Sequence, residues 1–345
     1  MSDSMPDSMP DSMLAGRLNV RTKQFEVKEV PRPAPGPGEV LVEVRAAGIC
    51  LSDVHLVDGT LNPLFLQGEE VTLGHEVAGV VVEHGEGVTG WEGRRVTLQA
   101  GEELGGWIHT RGVDYDGGWA HYAVSTVSTL VPIPDAMPFE QACIVPDAVS
   151  TPWASIVTTA GVRAGEPVGV WGIGGLGAHA VQLLRLAGAA PIVAVDPVES
   201  ARERALAFGA DLAVDPSEDV AARVRELTGG AGLAYAFDFA GVAPVREQAV
   251  RCLERGGALV LVGLTDQPLT IRNGTQFSYF GERLLGHYGS EPHHVEQLVG
   301  LVRHGRLDLS RSISGTLPLE EAARGIEMLE RKEGNPIRLV LQPHG

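Results

Sequence analysis

VGVWGIGGLGAHAVQLLRLAG, residues 168–188, decides the fold of half this chain. The β-prone run VGVW enters a glycine turn, and apolar residues at helical spacing follow it. Gly172, Gly174 and Gly177 stand in a G-x-G-x-x-G pattern, with Gly175 and Leu176 between the last two. Strand, glycine turn and helix are the context a dinucleotide phosphate loop requires, and the motif alone would be weak without them. Gly172 permits the tight turn, Gly174 lets backbone approach a pyrophosphate, and Gly177 lets the helix pack on the strand. The first amides of the helix, at Gly175 and Leu176, then face the phosphates.

Reading outward, PIVAVD forms a second strand that ends in Asp196, nineteen residues after Gly177. A carboxylate there accepts the hydroxyl hydrogens of the adenosine ribose, which favours NAD. The extra phosphate of NADP would meet a like charge unless a neighbour such as Arg202 compensates. The plainer role for Asp196, before Pro197, is to start a turn. Strands and helices go on alternating through SARERALAFG, LAV, DVAARVRELTG, AYAFDFAG, PVREQAVRCL and ALVLVG. Parallel strands need crossover connections, so this rhythm predicts an α/β, doubly wound parallel sheet with helices on both faces.

Upstream the rhythm differs. From about Leu18 to Val131 the chain consists of short β-rich runs such as VLVEVRAAG and VAGVVVEHG, separated by Pro/Gly clusters, which predicts a mostly β domain. Thr151 is placed to cap a helix that opens with Pro152 and stops before Gly161. After about Arg283 the alternation lapses, and the end of the chain is expected to rejoin the first domain. The expected organisation is a disordered tail over 1–15, a β domain over 16–147 and 288–345, and a nucleotide-binding domain over 148–287.

Composition narrows the function. The 345 residues carry a formal charge of −17, which repels nucleic acid and anionic membrane surfaces. No apolar run is long enough to span a bilayer. Three cysteines, Cys50, Cys143 and Cys252, are too few for a disulfide framework, so a cytoplasmic location is expected. Cys143 and Cys252 sit among apolar neighbours and read as small core residues. Cys50, in AAGICLSDVH, and His75, in LGHEVAGVV, instead fall where β runs give way to turns. Thiolate and imidazole together form a zinc-favouring donor pair. Asp147, in CIVPDAVSTPW, is a third candidate, which would leave a fourth position for water or substrate. Singly, His75 reads as a satisfied core histidine and Asp147 as a turn carboxylate. Ser52, Asp53 and His55 close behind Cys50, and Glu76 behind His75, suggest a proton relay and partners that orient the ligands.

From about Leu18 onward these motifs, in this order, resemble the zinc-containing medium-chain dehydrogenase/reductase family of the alcohol dehydrogenase type. They are the C-x-S-D-x-x-H segment at Cys50 to His55, the G-H-E at Gly74 to Glu76, and the glycine loop at Gly172 to Gly177. The resemblance implies a GroES-like β domain beside the Rossmann domain, and one catalytic zinc on Cys50, His75 and Asp147. It further implies that Ser52 and His55 carry a proton outward, Asp53 orients His75, Glu76 lies behind the metal, and Arg338 reaches the cofactor pyrophosphate. The stretch from Val96 to Trp119 lacks the four cysteines of the family's structural zinc, so none is expected. The implied function is zinc-dependent hydride transfer between NAD and an alcohol or carbonyl compound, with a secondary or cyclic alcohol as the expected class. A homo-oligomer, dimer or tetramer, is also expected. Two other readings share the fold: a zinc-independent NADPH quinone or enone reductase, and a non-catalytic NAD-binding protein.

Overall fold

The structure, a computed structural model, describes residues 11–345. Two compact units make it up. One runs to Ile144 and takes in Gly315–Arg331 and Leu339–Gly345; the other comprises Val145–Ser314 and Lys332–Arg338.

The first unit is mostly β, as its short alternating runs predict. Its larger sheet has seven strands, centred on Glu39–Ile49, which pairs antiparallel with Val77–His84, Tyr122–Thr126 and the C-terminal strand Arg338–Gln342. Leu18, Val42, Val44, Leu73, Val77, Leu98 and Trp119 belong to its core. A smaller sheet orders Gln24–Pro31, Ser12–Asn19 and Glu70–Thr72. Ser12–Asn19 corrects the expected tail over 1–15: residues 12–15 are strand, with Met13 and Ala15 buried, and the tract before Asp11 lies outside the described residues. The alternation of Met13 and Ala15 is obscured because Met13 closes the Ser/Met/Pro/Asp repeat MSDSMPDSMPDSM of residues 1–13. Within the cysteine-free stretch Val96 to Trp119 stands a hairpin, Gly101–Leu104 and Trp107–Thr110, turning at Gly105 and Gly106 with positive φ.

The second unit carries a six-stranded parallel sheet. Its order is Leu212–Val214, Ile192–Val195, Val168–Trp171, Leu233–Asp238, Leu253–Leu261, Arg283–Gly286. In chain order this is 3-2-1-4-5-6, so the switch point lies between Val168–Trp171 and Leu233–Asp238. The expected return at residue 288 comes later, at Gly315. The helix Pro292–Arg303 stays with this unit because Gln297 accepts from Trp153 Nε1 at 2.8 Å, and His294 and Ser290 bond to Thr158 and Ser150.

The helix before the sheet also begins earlier than expected. Helical turns run from Val145 through Ala160, with wide π turns over Val145–Val149 and Ser155–Ala160, and end on left-handed Gly161. Thr151 is therefore inside the helix and caps nothing. A proline inside a helix crowds the carbonyl four residues back, here that of Ala148, and a wider turn upstream of Pro152 relieves it.

Candidate active site

In the first unit, register brings the polar residues to one sheet end. Ala47 pairs with Val77, so Cys50, just past the end of one strand, lies at the same end of the sheet as His75 and Glu76, just before the start of the other, and Gly48 N donates to the Glu76 carbonyl at 2.8 Å. Gly74, at φ +95°, makes the turn that presents His75; a Cβ there would also stand 2.1 Å from the Trp119 ring. Trp119 is itself fixed by burial and by donation from Nε1 to the Gly48 carbonyl at 3.0 Å. Cys50 caps the helix Leu51–Asp58, and its amide donates to Asp53 Oδ2 at 2.8 Å.

Cys50, His75 and Glu76 are all buried, and each offers a donor atom within 4.8 Å of the others'. Thiolate, imidazole and carboxylate gathered this closely are a donor set of the kind zinc favours. The Glu76 carboxylate lies over Gly48, where a Cβ would come within 1.9 Å of Oε2. Asp53, fully buried, reaches His75 Nδ1 at 3.7 Å through Oδ1. Ser52 Oγ is 3.6 Å from Cys50 Sγ. His55 follows three residues on along the same helix face, half-buried, with Nδ1 3.6 Å from Asp58.

Asp147 opens the second unit, in the first wide turn. Both its oxygens are engaged there: Oδ1 accepts from Thr151 Oγ1 at 2.8 Å, and Oδ2 from Arg338 Nη2 at 3.4 Å.

The glycine loop has the tolerances its spacing predicts. A Cβ at Gly177 would stand 1.8 Å from the Gly172 carbonyl oxygen, so helix and strand touch backbone to backbone. Gly172 turns at φ +86°, while a Cβ at Gly174 meets nothing within 4 Å and leaves that side open. Asp196 Oδ2 accepts from Ile173 N at 2.7 Å and Oδ1 from Val198 N at 2.9 Å. A carboxylate has about four acceptor positions, so capacity for ribose hydroxyls remains. Arg202 Nη1 is occupied by the Asp196 and Pro197 carbonyls and by Asp215 Oδ2, at 2.8–2.9 Å.

Sequence reasoning missed several polar residues of this unit. Asp238, fully buried at the carboxyl end of its strand, pairs with Arg246 Nε at 2.8 Å and accepts from the amides of Ala240 and Gly241, which shapes the turn facing Gly172. Its place at the end of AYAFD, matching Asp196 at the end of PIVAVD, was the available signal. His179 spans from the Gly175 carbonyl to Ser312 Oγ, and burial, followed by the charge of Arg338, pushes its pKa down to about 4. His287 donates through Nε2 to the Thr151 carbonyl, accepts from Thr159 at Nδ1, and has a pKa lowered by burial. Only tertiary contact brings these partners together.

Comparison with known proteins adds two family matches. Residues 175–304 match the family described as zinc-binding dehydrogenase, and residues 36–135 the alcohol dehydrogenase GroES-like domain. The chain is 33% identical over 360 residues to putative alcohol dehydrogenase D of Mycobacterium tuberculosis, covering 92% of this chain and 96% of that one. It is likewise 33% identical over 368 residues to the NDMA-dependent alcohol dehydrogenase of Amycolatopsis methanolica, covering 95% and 98%. Among solved structures, a putative zinc-binding dehydrogenase from Sinorhizobium meliloti bound to NADP superposes with a TM-score of 0.87 at 28% identity, covering 97% of this chain and all, 100%, of that one. Among the described residues no helix is long and apolar enough to cross a membrane.

Proposed function

The chain belongs to the zinc-containing medium-chain dehydrogenases of the alcohol dehydrogenase type, and on that premise we propose that it transfers hydride between NAD(H) and a small alcohol or carbonyl compound. The observation that carries this reading is the buried group of Cys50, His75 and Glu76, with Ser52 beside the thiol. Such a donor set has no use in a purely nucleotide-binding protein, and none in a reductase that works without metal.

In this reading Cys50, His75 and Asp147 hold one zinc, and Glu76 stands behind it. Zinc bound there supplies Lewis-acid chemistry, lowering an alcohol's pKa or polarising a carbonyl. Asp53 fixes the orientation of the His75 ring and favours its Nδ1–H tautomer. Ser52 Oγ takes the alcohol proton, and His55, one turn further out, hands it to solvent. The glycine loop seats the pyrophosphate, and Asp196 holds the adenosine ribose. Arg202 Nη1 is committed to Asp215 and two carbonyls, and the Asp196 carboxylate itself would repel a 2′-phosphate, which supports NAD over NADP.

The test is metal analysis of the purified protein, followed by NADH absorbance with a panel of alcohols and ketones, with and without chelator. One zinc per chain and chelator-sensitive turnover are expected. Cys50→Ala and Asp147→Ala should each lose metal and turnover while still binding NAD. Full activity in a metal-free variant would refute the assignment.

A further inference from the structure

Arg338 is 3% exposed, and its guanidinium lies between two parts of the second unit. On one side Nη2 donates to Asp147 Oδ2 at 3.4 Å. On the other, Nη1 covers Gly175 so closely that a Cβ there would stand 2.6 Å from it. Gly175 is the first residue of the helix Gly175–Ala187, whose leading amides face phosphate in a dinucleotide fold. One fixed cation thus adjoins both a carboxylate and an anion-binding helix end. Thr151 holds the other Asp147 oxygen, so the carboxylate stays in place when the Arg338 contact weakens.

We propose that Arg338 is a positioning residue that couples dinucleotide binding to metal retention. This rests on the reading of Asp147 as a zinc ligand. Without a pyrophosphate, the guanidinium draws electron density from Asp147 and opposes a nearby dication. With a pyrophosphate bound, its charge is directed at the phosphates, Asp147 becomes the better donor, and zinc is held more tightly. Linkage makes the effect reciprocal: zinc-loaded protein binds the pyrophosphate tighter than zinc-free protein by the same factor.

The test uses ADP-ribose, which carries the pyrophosphate but no nicotinamide ring to shield the metal, with AMP as the control. Zinc content is measured first, then the rate of zinc release to a chromogenic chelator, each nucleotide being raised to saturation as checked by calorimetry. ADP-ribose should slow release about fivefold or more, in the usual range of coupling between sites, while AMP should not. R338Q should hold zinc and release it at one rate with or without ADP-ribose. R338K, whose compact ammonium cannot span both anions, should keep the fold and lose most of the factor. No slowing in the wild-type protein, or equal slowing in R338Q and wild type, overturns the proposal while leaving the zinc reading intact. A wild-type chain that takes up no zinc brings down both. If R338Q fails to fold, the comparison of ADP-ribose with AMP and the R338K rates still decide.

Discussion

The two glycines Gly174 and Gly177 are expected to fail in different ways when each becomes alanine. In Gly177→Ala the new methyl carbon would stand 1.8 Å from the Gly172 carbonyl oxygen. Ordinary contact begins near 3.4 Å, so the helix start must retreat from the strand by roughly 1.5 Å, against a typical overpacking cost of about 1–3 kcal/mol. At about 2–4 °C per kcal/mol for a domain of this size, the unfolding midpoint should fall by several degrees. The same retreat pulls amides from the phosphate; losing one hydrogen bond to a charged group, about 1.5–3 kcal/mol, weakens NADH binding roughly ten- to hundredfold. In Gly174→Ala the methyl meets nothing within 4 Å and φ is −84°, so stability should hold. Only the space for the pyrophosphate is taken, and affinity should drop alone. The assay pairs thermal denaturation without cofactor with fluorescence titration of NADH. Unimpaired NADH binding by Gly174→Ala would refute the placement of the pyrophosphate at this loop.

Three further outcomes are expected. Asp196→Asn removes the charge facing a 2′-phosphate, and since two unit charges 4 Å apart repel by about 1–4 kcal/mol, the preference for NAD over NADP should fall by about tenfold or more; an unchanged ratio of affinities would disprove that role. His179 titrates near 4 when folded, against 6.5 in the unfolded chain, so the folded state loses stability as pH falls from 6.5 toward 4, by about 3 kcal/mol in all. Denaturation at pH 7 and 4.5 should show this loss in the wild type and a smaller one in His179→Asn, and equal losses would contradict it. Trp119→Ala empties a core position and strips the Gly48 carbonyl of its donor, so equilibrium unfolding should show a cost of about 3–5 kcal/mol, and a loss under about 1 would contradict the packing described.

How far the sequence could be read differs between the two units. In the nucleotide unit the first five strands carry short apolar runs bounded by turn residues, with helical periodicity between them, so the type of these elements follows from local pattern, and even Asp196 could be found by counting from Gly177; the sixth strand, Arg283–Gly286, lies where that alternation lapses and is fixed by pairing with Leu253–Leu261. The helix over Val145–Ala160 resisted the same treatment. Pro152 reads as a helix start by local rule, whereas the chain absorbs it inside a helix through wide turns, and that depends on what packs around it. Ser12–Asn19 resisted for another reason: a strand of eight residues behind a polar repeat gains its stability from pairing with Gln24–Pro31, which no window of sequence displays.

Local chemistry in the sequence therefore determined the parallel α/β unit, the phosphate loop and the types of donor at Cys50, His75 and Asp147. Tertiary structure alone decided that Glu76 joins Cys50 and His75, that Trp119 fixes the turn before His75, and that Arg338 faces Asp147 across 191 residues of chain. The physical reason is range. Backbone propensity and side-chain periodicity act over a few residues, while a buried charge or donor atom takes its role from whichever groups strand register and packing bring within a few ångströms of it.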